Sequence, residues 1–226
     1  MATAIPASIT LTGRLSWPVL TMAAANERNP KSKFPKADKD VAPEYNLVLE
    51  QKAVDKLTNF LLTEFIPALR AAFKSGDAKY AAFDDKTVDK LQKAIEVGDW
   101  EDQPPYLFIK PVPEKTLAMA PEGVAMIKVS GDRGRDIIQK AVVRGEDELA
   151  IPDNDVLDYP VVKPINETVH ELYAGCVAGT TLNIYAYISG KLPGLGAGGA
   201  TLAFKANADA FGGSAGLDED ALFLDD

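Results

Sequence analysis

Between Thr181 and Ile188 the chain alternates so cleanly that only a strand with two unlike faces satisfies it. Leu182, Ile184, Ala186 and Ile188 fall on one side, and Thr181, Asn183, Tyr185 and Tyr187 on the other. Successive side chains of a pleated strand point to opposite faces, so this segment has an aliphatic side fit for a core and a polar, aromatic side left over. The same period marks Ile9–Leu15, with Ile9, Leu11, Gly13 and Leu15 opposed to Thr10, Thr12 and Arg14, and this strand is expected to stop near Trp17-Pro18. Glu44–Glu50, Tyr106–Lys110, Val124–Val129 and Thr201–Lys205 read as further strands, and the Gly-rich Lys191–Gly199 as a turn between the last two.

Two segments break the period. Lys52–Phe73 carries Val54, Leu57, Leu61, Phe65, Leu69 and Phe73 at three- and four-residue steps, a helix in which Pro67 predicts a kink or break. Thr87–Val97, with Val88, Leu91 and Ile95 inward and Gly98 as its stop, is a second helix. About six short strands with a helical excursion after the second predict a mainly β, α+β fold: a small closed barrel with a helical hairpin inserted at about residues 52–97. Asn26–Pro43 reads as an exposed basic loop, Gly131–Arg144 as a polar turn and Glu146–Tyr159 as an acidic loop.

A chain of 226 residues suits one domain that buries its core without staples. The single cysteine, Cys176, excludes an intramolecular disulfide and fits a reducing compartment. The chain has no apolar run near the ~20 residues a bilayer span needs, and its start lacks a basic segment followed by an apolar one. A cytoplasmic protein without membrane attachment is expected. The net charge of −9 is unevenly spread: residues 1–144 carry +2 and residues 145–226 carry −11. Asp218, Glu219, Asp220, Asp225 and Asp226 crowd the terminus behind the Gly-rich Phe211–Gly216. Such a block solvates as an interaction tail, which divides the chain into a domain at 1–213 and a disordered acidic tail at 214–226. Without those five acids the body stands at −4, and a basic face on it is compatible with that total.

Catalytic chemistry has little support. His170 and Cys176 lack a third group to orient them, and one His with one Cys cannot supply a zinc site. Asp153, Asp155 and Asp158 cluster oxygens as a hard cation requires, but without the Gly and terminal Glu of a calcium loop they read as a solvated turn. No catalytic residue, metal or cofactor is therefore assigned.

The aromatic spacing is more specific. Tyr185 and Tyr187 stand ~6.5–7 Å apart along one strand face, close to the spacing of splayed nucleotides. Tyr106, Phe108 and Lys110 repeat the pattern, with Leu107 and Ile109 opposite. Rings interleaved with lysine are what sequence-tolerant binding of single strands requires, because every base has a π-face and cations follow the phosphates. The alternative places these rings in the core and the aliphatic side outward. Asn183 shares the tyrosine face, Lys128 and Arg14 add charge, and Trp17 is a further ring. Lys31, Lys33, Lys36, Arg133 and Arg135 are candidates to line the same groove.

Thr10-Leu-Thr-Gly-Arg-Leu-Ser-Trp-Pro-Val-Leu20 and Tyr45-Asn-Leu-Val-Leu-Glu50, then Glu171-Leu-Tyr-Ala-Gly-Cys176, Asn183-Ile-Tyr-Ala-Tyr187 and Phe211-Gly-Gly213, resemble the opening and closing halves of phage-encoded single-stranded DNA-binding proteins. The resemblance implies an OB-type barrel without catalytic residues that coats and protects single strands during replication and recombination. It also implies an acidic tail that recruits replication or recombination proteins and competes with DNA for the groove. Asp218, Glu219, Asp220, Phe223, Asp225 and Asp226 look like that tail, although Leu224, Asp225 and Asp226 follow the phenylalanine. Binding without sequence preference, with self-association along the strand, is the expected function. A protein-interaction or virion-associated barrel, and less so a metal-dependent nuclease, are the alternatives.

Overall fold

The computed structural model describes residues 5, 8–33, 35–98, 100, 104–142, 162–164, 172–206 and 208–211. The tail with Asp218, Glu219, Asp220, Phe223, Asp225 and Asp226 lies outside the described residues, as do Asp153, Asp155, Asp158 and His170. Within them the chain runs β1 (Ser8–Val19), α1 (Met22–Arg28), β2 (Glu44–Leu49), α2 (Gln51–Phe60), α3 (Ile66–Lys74), α4 (Asp85–Val97), β3 (Ile109–Lys110), α5 (Glu114–Leu117), β4 (Ala125–Ser130), β5 (Ile138–Val142), β6 (Val162–Pro164), β7 (Val177–Ser189), β8 (Leu192–Gly198) and β9 (Thr201–Ala206).

Two long strands change neighbours along their length, and that closes the sheet. The first half of β1 pairs antiparallel with β7 and its second half with β2. Beyond β2 comes β4, antiparallel; β4 meets β8 in parallel at Ser130–Gly198, and β8 returns to β7 antiparallel. The circuit β1-β2-β4-β8-β7-β1 is a closed five-stranded barrel of OB type. A second limb, β9-β5-β6, continues from β7.

The faces of β7 separate as the alternation predicts from Thr181 to Tyr185, whereas Ala186, Tyr187 and Ile188 are all half-buried. Leu182 and Ile184 are buried with Leu15, Leu47, Ile127 and Leu195, and each such side chain contributes about 1.5–3 kcal/mol by leaving water. One buried polar relay crosses this interior. The Thr180 hydroxyl donates to the Thr201 carbonyl (2.8 Å), which leaves Tyr45 to donate to Thr180 (2.8 Å). Burial pushes the Tyr45 hydroxyl pKa well above its usual value.

The helical insertion packs α2 against β1 and β2, and α4 against β8. Its two arms are tied by Arg70, which reaches Asp85 (2.9 Å) and Asp89 (2.7 Å). α4 starts at a reciprocal Asp84/Thr87 cap and ends at Gly98, whose φ of +68° suits a residue without Cβ. Pro67 does not break the helix. Leu61–Phe65 takes π geometry, with the Ile66 N–H bonding to Leu61, and Pro67 then falls in the first turn of α3, where a missing N–H is tolerated. Among the described residues no helix is long and apolar enough to cross a membrane.

Four expectations are corrected. β1 does not stop at Trp17-Pro18 but carries an irregularity there and resumes pairing at Val19. The basic loop begins with a helix, α1, capped by the Thr21 hydroxyl. Gly131–Arg144 contains β5, whose mixed polarity hid a strand supported by β9. The Gly-rich segment is strand β8 rather than a turn; the reversal is confined to Gly190-Lys191, with Gly190 at φ +65°.

Candidate nucleic-acid interface

The glycines of β8 explain how the tyrosines of β7 are held. Register places Tyr185 opposite Gly196, Tyr187 opposite Gly194 and Asn183 opposite Gly198. A Cβ on Gly196 would collide with the Tyr185 ring, and one on Gly194 with the Tyr187 ring. Both rings therefore recline across the neighbouring strand instead of standing upright, with their centroids 6.2 Å apart and their planes 43° from parallel. Tyr185 keeps 45% of its surface exposed, and Tyr187 is half-buried. Partial burial raises the Tyr187 pKa, and the Tyr185 and Tyr106 hydroxyls act in the same direction.

Beside this platform the barrel wall opens. Because β4 and β8 pair at one point only, residues 106–110 run through the gap between them. Tyr106 exchanges backbone hydrogen bonds with β8, donating to Pro193 (3.1 Å) and accepting from Leu195 (2.7 Å), while Lys128 of β4 donates to the Phe108 carbonyl (2.9 Å). The result is a groove of about 450 Å³ bordered by Tyr106, Lys110, Lys128, Ser130, Tyr185 and Tyr187.

Lys128 also borders a second cavity, of about 480 Å³, which α1 and the chain after it form against β2. Among the described residues, Arg28, Lys31, Lys33 and Lys36 line it with Lys128, against one carboxylate, Glu44. Asn29 fixes the loop by accepting from the Lys36 N–H (2.7 Å) and donating to the Lys36 carbonyl (2.8 Å). Aromatic groove and basic cavity are thus adjacent on the outside of the barrel and share a lysine. Stacking surface and anion-attracting surface lie side by side, which is the pairing a single strand needs.

Of the residues proposed from sequence, Tyr106, Phe108, Lys110, Lys128, Tyr185 and Tyr187 come together around the groove. Phe108 does not share their exposure: it is 5% exposed and joins the core, because 106–110 forms only a two-residue strand and its upstream part does not alternate regularly. Arg14 is a scaffold residue rather than a groove cation. Its Nε donates to the Gly175 carbonyl (2.6 Å), one terminal nitrogen donates to the Asp209 carbonyl (2.6 Å), the other pairs with Glu122 (3.0 Å), and the guanidinium lies over Phe211. Asn183 is exposed beside the platform, where it accepts from Ser8 (3.0 Å), and does not line the groove. Trp17 is 64% exposed at the β1 irregularity, with φ +47°, a conformation rare for a bulky side chain; it too lies outside the groove lining. Arg133 pairs with Asp40 (2.9 Å). Sequence reasoning missed Gly194, Gly196, Arg28 and Glu44. The glycines did carry a signal, since Gly194, Gly196 and Gly198 recur at the strand period.

No protein-family profile and no curated protein matches the chain. Solved structures similar to it include the single-stranded DNA-binding protein from bacteriophage Enc34, at 14% identity over 96% of this chain and 90% of that one, with a TM-score of 0.45. The same phage protein in complex with single-stranded DNA is similar at 13% identity over 91% and 90%, TM-score 0.45. A third is gp2.5, a single-stranded DNA-binding protein encoded by bacteriophage T7, at 9% identity over 95% and 98%, TM-score 0.47.

Proposed function

We propose that this protein binds single-stranded DNA without sequence preference and coats it during phage DNA replication and recombination. It acts as a non-enzyme in the host cytoplasm, with residues 1–213 as the binding domain. The observation that carries this reading is the tyrosine pair reclined on the β8 glycines, joined through Lys128 to a cavity lined by four further cations. Bases stack on Tyr106, Tyr185 and Tyr187, while the phosphates follow Lys110 and Lys128. Trp17 offers one more ring for a strand that continues over the barrel. Titration with oligo(dT) and with a matched duplex tests this: the single strand is expected to bind more tightly, with an affinity that falls steeply with salt. Equal binding of the duplex contradicts it.

The reclined geometry makes its own prediction. Gly196→Ala displaces the Tyr185 ring and is expected to weaken oligo(dT) binding about 3- to 10-fold, part of one base stack, with the circular dichroism of the barrel kept. Unchanged affinity would mean that the tilt of this ring is irrelevant.

The acidic tail is proposed to recruit replication and recombination proteins and to compete with DNA. Phe211 belongs to a small buried cluster with Val48, Val112 and Ala120 against which Met126 packs, and Met126 is two residues from Lys128 on the same side of β4. Asp218 follows Phe211 by seven residues, a reach of up to ~25 Å. Deleting residues 217–226 is expected to raise affinity for oligo(dT) several-fold at low salt, with the gain fading once the Debye length shrinks to ~8–10 Å. A deletion that leaves low-salt affinity unchanged counts against competition.

A further inference from the structure

Among the described residues that line the basic cavity Glu44 is the one carboxylate, and it stands between Arg28 and Lys128, the latter shared with the groove. Its Oε1 pairs with Arg28 at 3.2 Å and its Oε2 with Lys128 at 2.8 Å. The Glu44 side chain is largely covered, while Arg28 and Lys128 are each more than half exposed. Two oxygens held between two cations reproduce what the non-bridging oxygens of a phosphodiester present.

We propose that the basic cavity is a backbone-phosphate subsite and that Glu44 occupies it as a resident substitute, so that an incoming phosphate must take over Arg28 and Lys128 from the carboxylate. This deepens, and rests on, the single-strand reading. The exchange is feasible because Arg28 and Lys128 are each more than half exposed, and ion pairs made by cations so open to water contribute little, so neither cation is locked in place. Its consequence is selectivity. An isolated anion gains nothing over the carboxylate already there, whereas a polynucleotide anchored by stacking on the tyrosines delivers its next phosphate at high effective concentration. Glu44 thereby keeps the cavity from filling with simple anions and couples its use to engagement of the platform.

The test compares wild type, Glu44→Gln and Glu96→Gln, the last removing the same charge from the exposed side of α4, outside the cavity lining. Oligo(dT) affinity is measured across a salt series. Glu44→Gln is expected to bind about 3- to 10-fold more tightly at low salt and to steepen the slope of log K against log salt by about 0.7–1.4, corresponding to one or two added phosphate contacts. Glu96→Gln is expected to leave the slope unchanged. In the Glu44→Gln/Arg28→Gln double variant most of the gain is expected to disappear. Equal or weaker binding by Glu44→Gln, a matching gain in Glu96→Gln, or a gain that survives loss of Arg28 would each overturn the proposal. Wild type that fails to bind oligo(dT) at all would overturn the functional reading itself, a separate outcome from wild type that binds and a Glu44→Gln variant that gains nothing.

Discussion

Replacing Tyr185 and Tyr187 together by alanine is expected to lower affinity for oligo(dT) by about 2–4 kcal/mol, on the order of 30- to 1,000-fold. The size follows from two lost stacks at ~1–3 kcal/mol each, reduced because neighbouring rings partly compensate. Folding should survive. Tyr185 is 45% exposed, and both rings lie on the outer face of β7, whereas Leu182 and Ile184 hold the inner one. Salt slope separates this change from a loss of charge: removing rings should leave the slope near that of wild type, while removing Lys128 should flatten it. A double variant with wild-type affinity and a wild-type melting temperature would mean that bases do not lie on these rings.

Arg14→Ala is expected to do the reverse. The side chain is only 13% exposed, and it joins β1 to the backbone at Gly175 and Asp209, to Glu122 and to the Phe211 ring. Truncation removes two charge-assisted bonds to carbonyls and a cation–π contact, and it strips the Gly175 carbonyl of a partner where that residue is buried. A loss of about 2–4 kcal/mol of stability follows, a fall in melting temperature of about 4–15 °C for a domain of this size. Well below that temperature, oligo(dT) affinity should stay within about twofold of wild type. Thermal unfolding and a titration of the same sample check both halves. Weakened binding without lowered stability would return Arg14 to the contact surface.

The difference between Arg14 and the tyrosines shows what the sequence could reveal. Periodicity is a local property, so the two faces of β7, the helical insertion and the barrel class could be read from neighbouring residues. Partnership across the chain is not local. Arg14 alternates as an outward residue should, but the segment that covers that part of the outer face arrives almost two hundred positions later, with Asp209. Phe108 lines the groove yet is almost wholly buried for a related reason: its alternation assumed a strand across the whole of 106–110, whereas the wide gap between β4 and β8 lets the chain pass through partly unpaired. From sequence β8 reads as a turn, because glycine considered alone signals one. Here its value lies in the side chain it lacks, which makes room for rings from β7, and that becomes visible only when Tyr185 and Tyr187 are set opposite Gly196 and Gly194. Glu44 carried no signal at all, since its meaning depends on Arg28 and Lys128 meeting it from two other elements.

Ring-selective labelling of tyrosine for NMR addresses the central claim most directly. On addition of oligo(dT), the ring signals of Tyr106, Tyr185 and Tyr187 are expected to move upfield as bases stack on them. Tyr45 and Tyr80, buried in the core, serve as internal references that should stay still. Saturated binding with all three groove tyrosines unmoved would contradict the account, because the strand would then be held by some other face of the barrel.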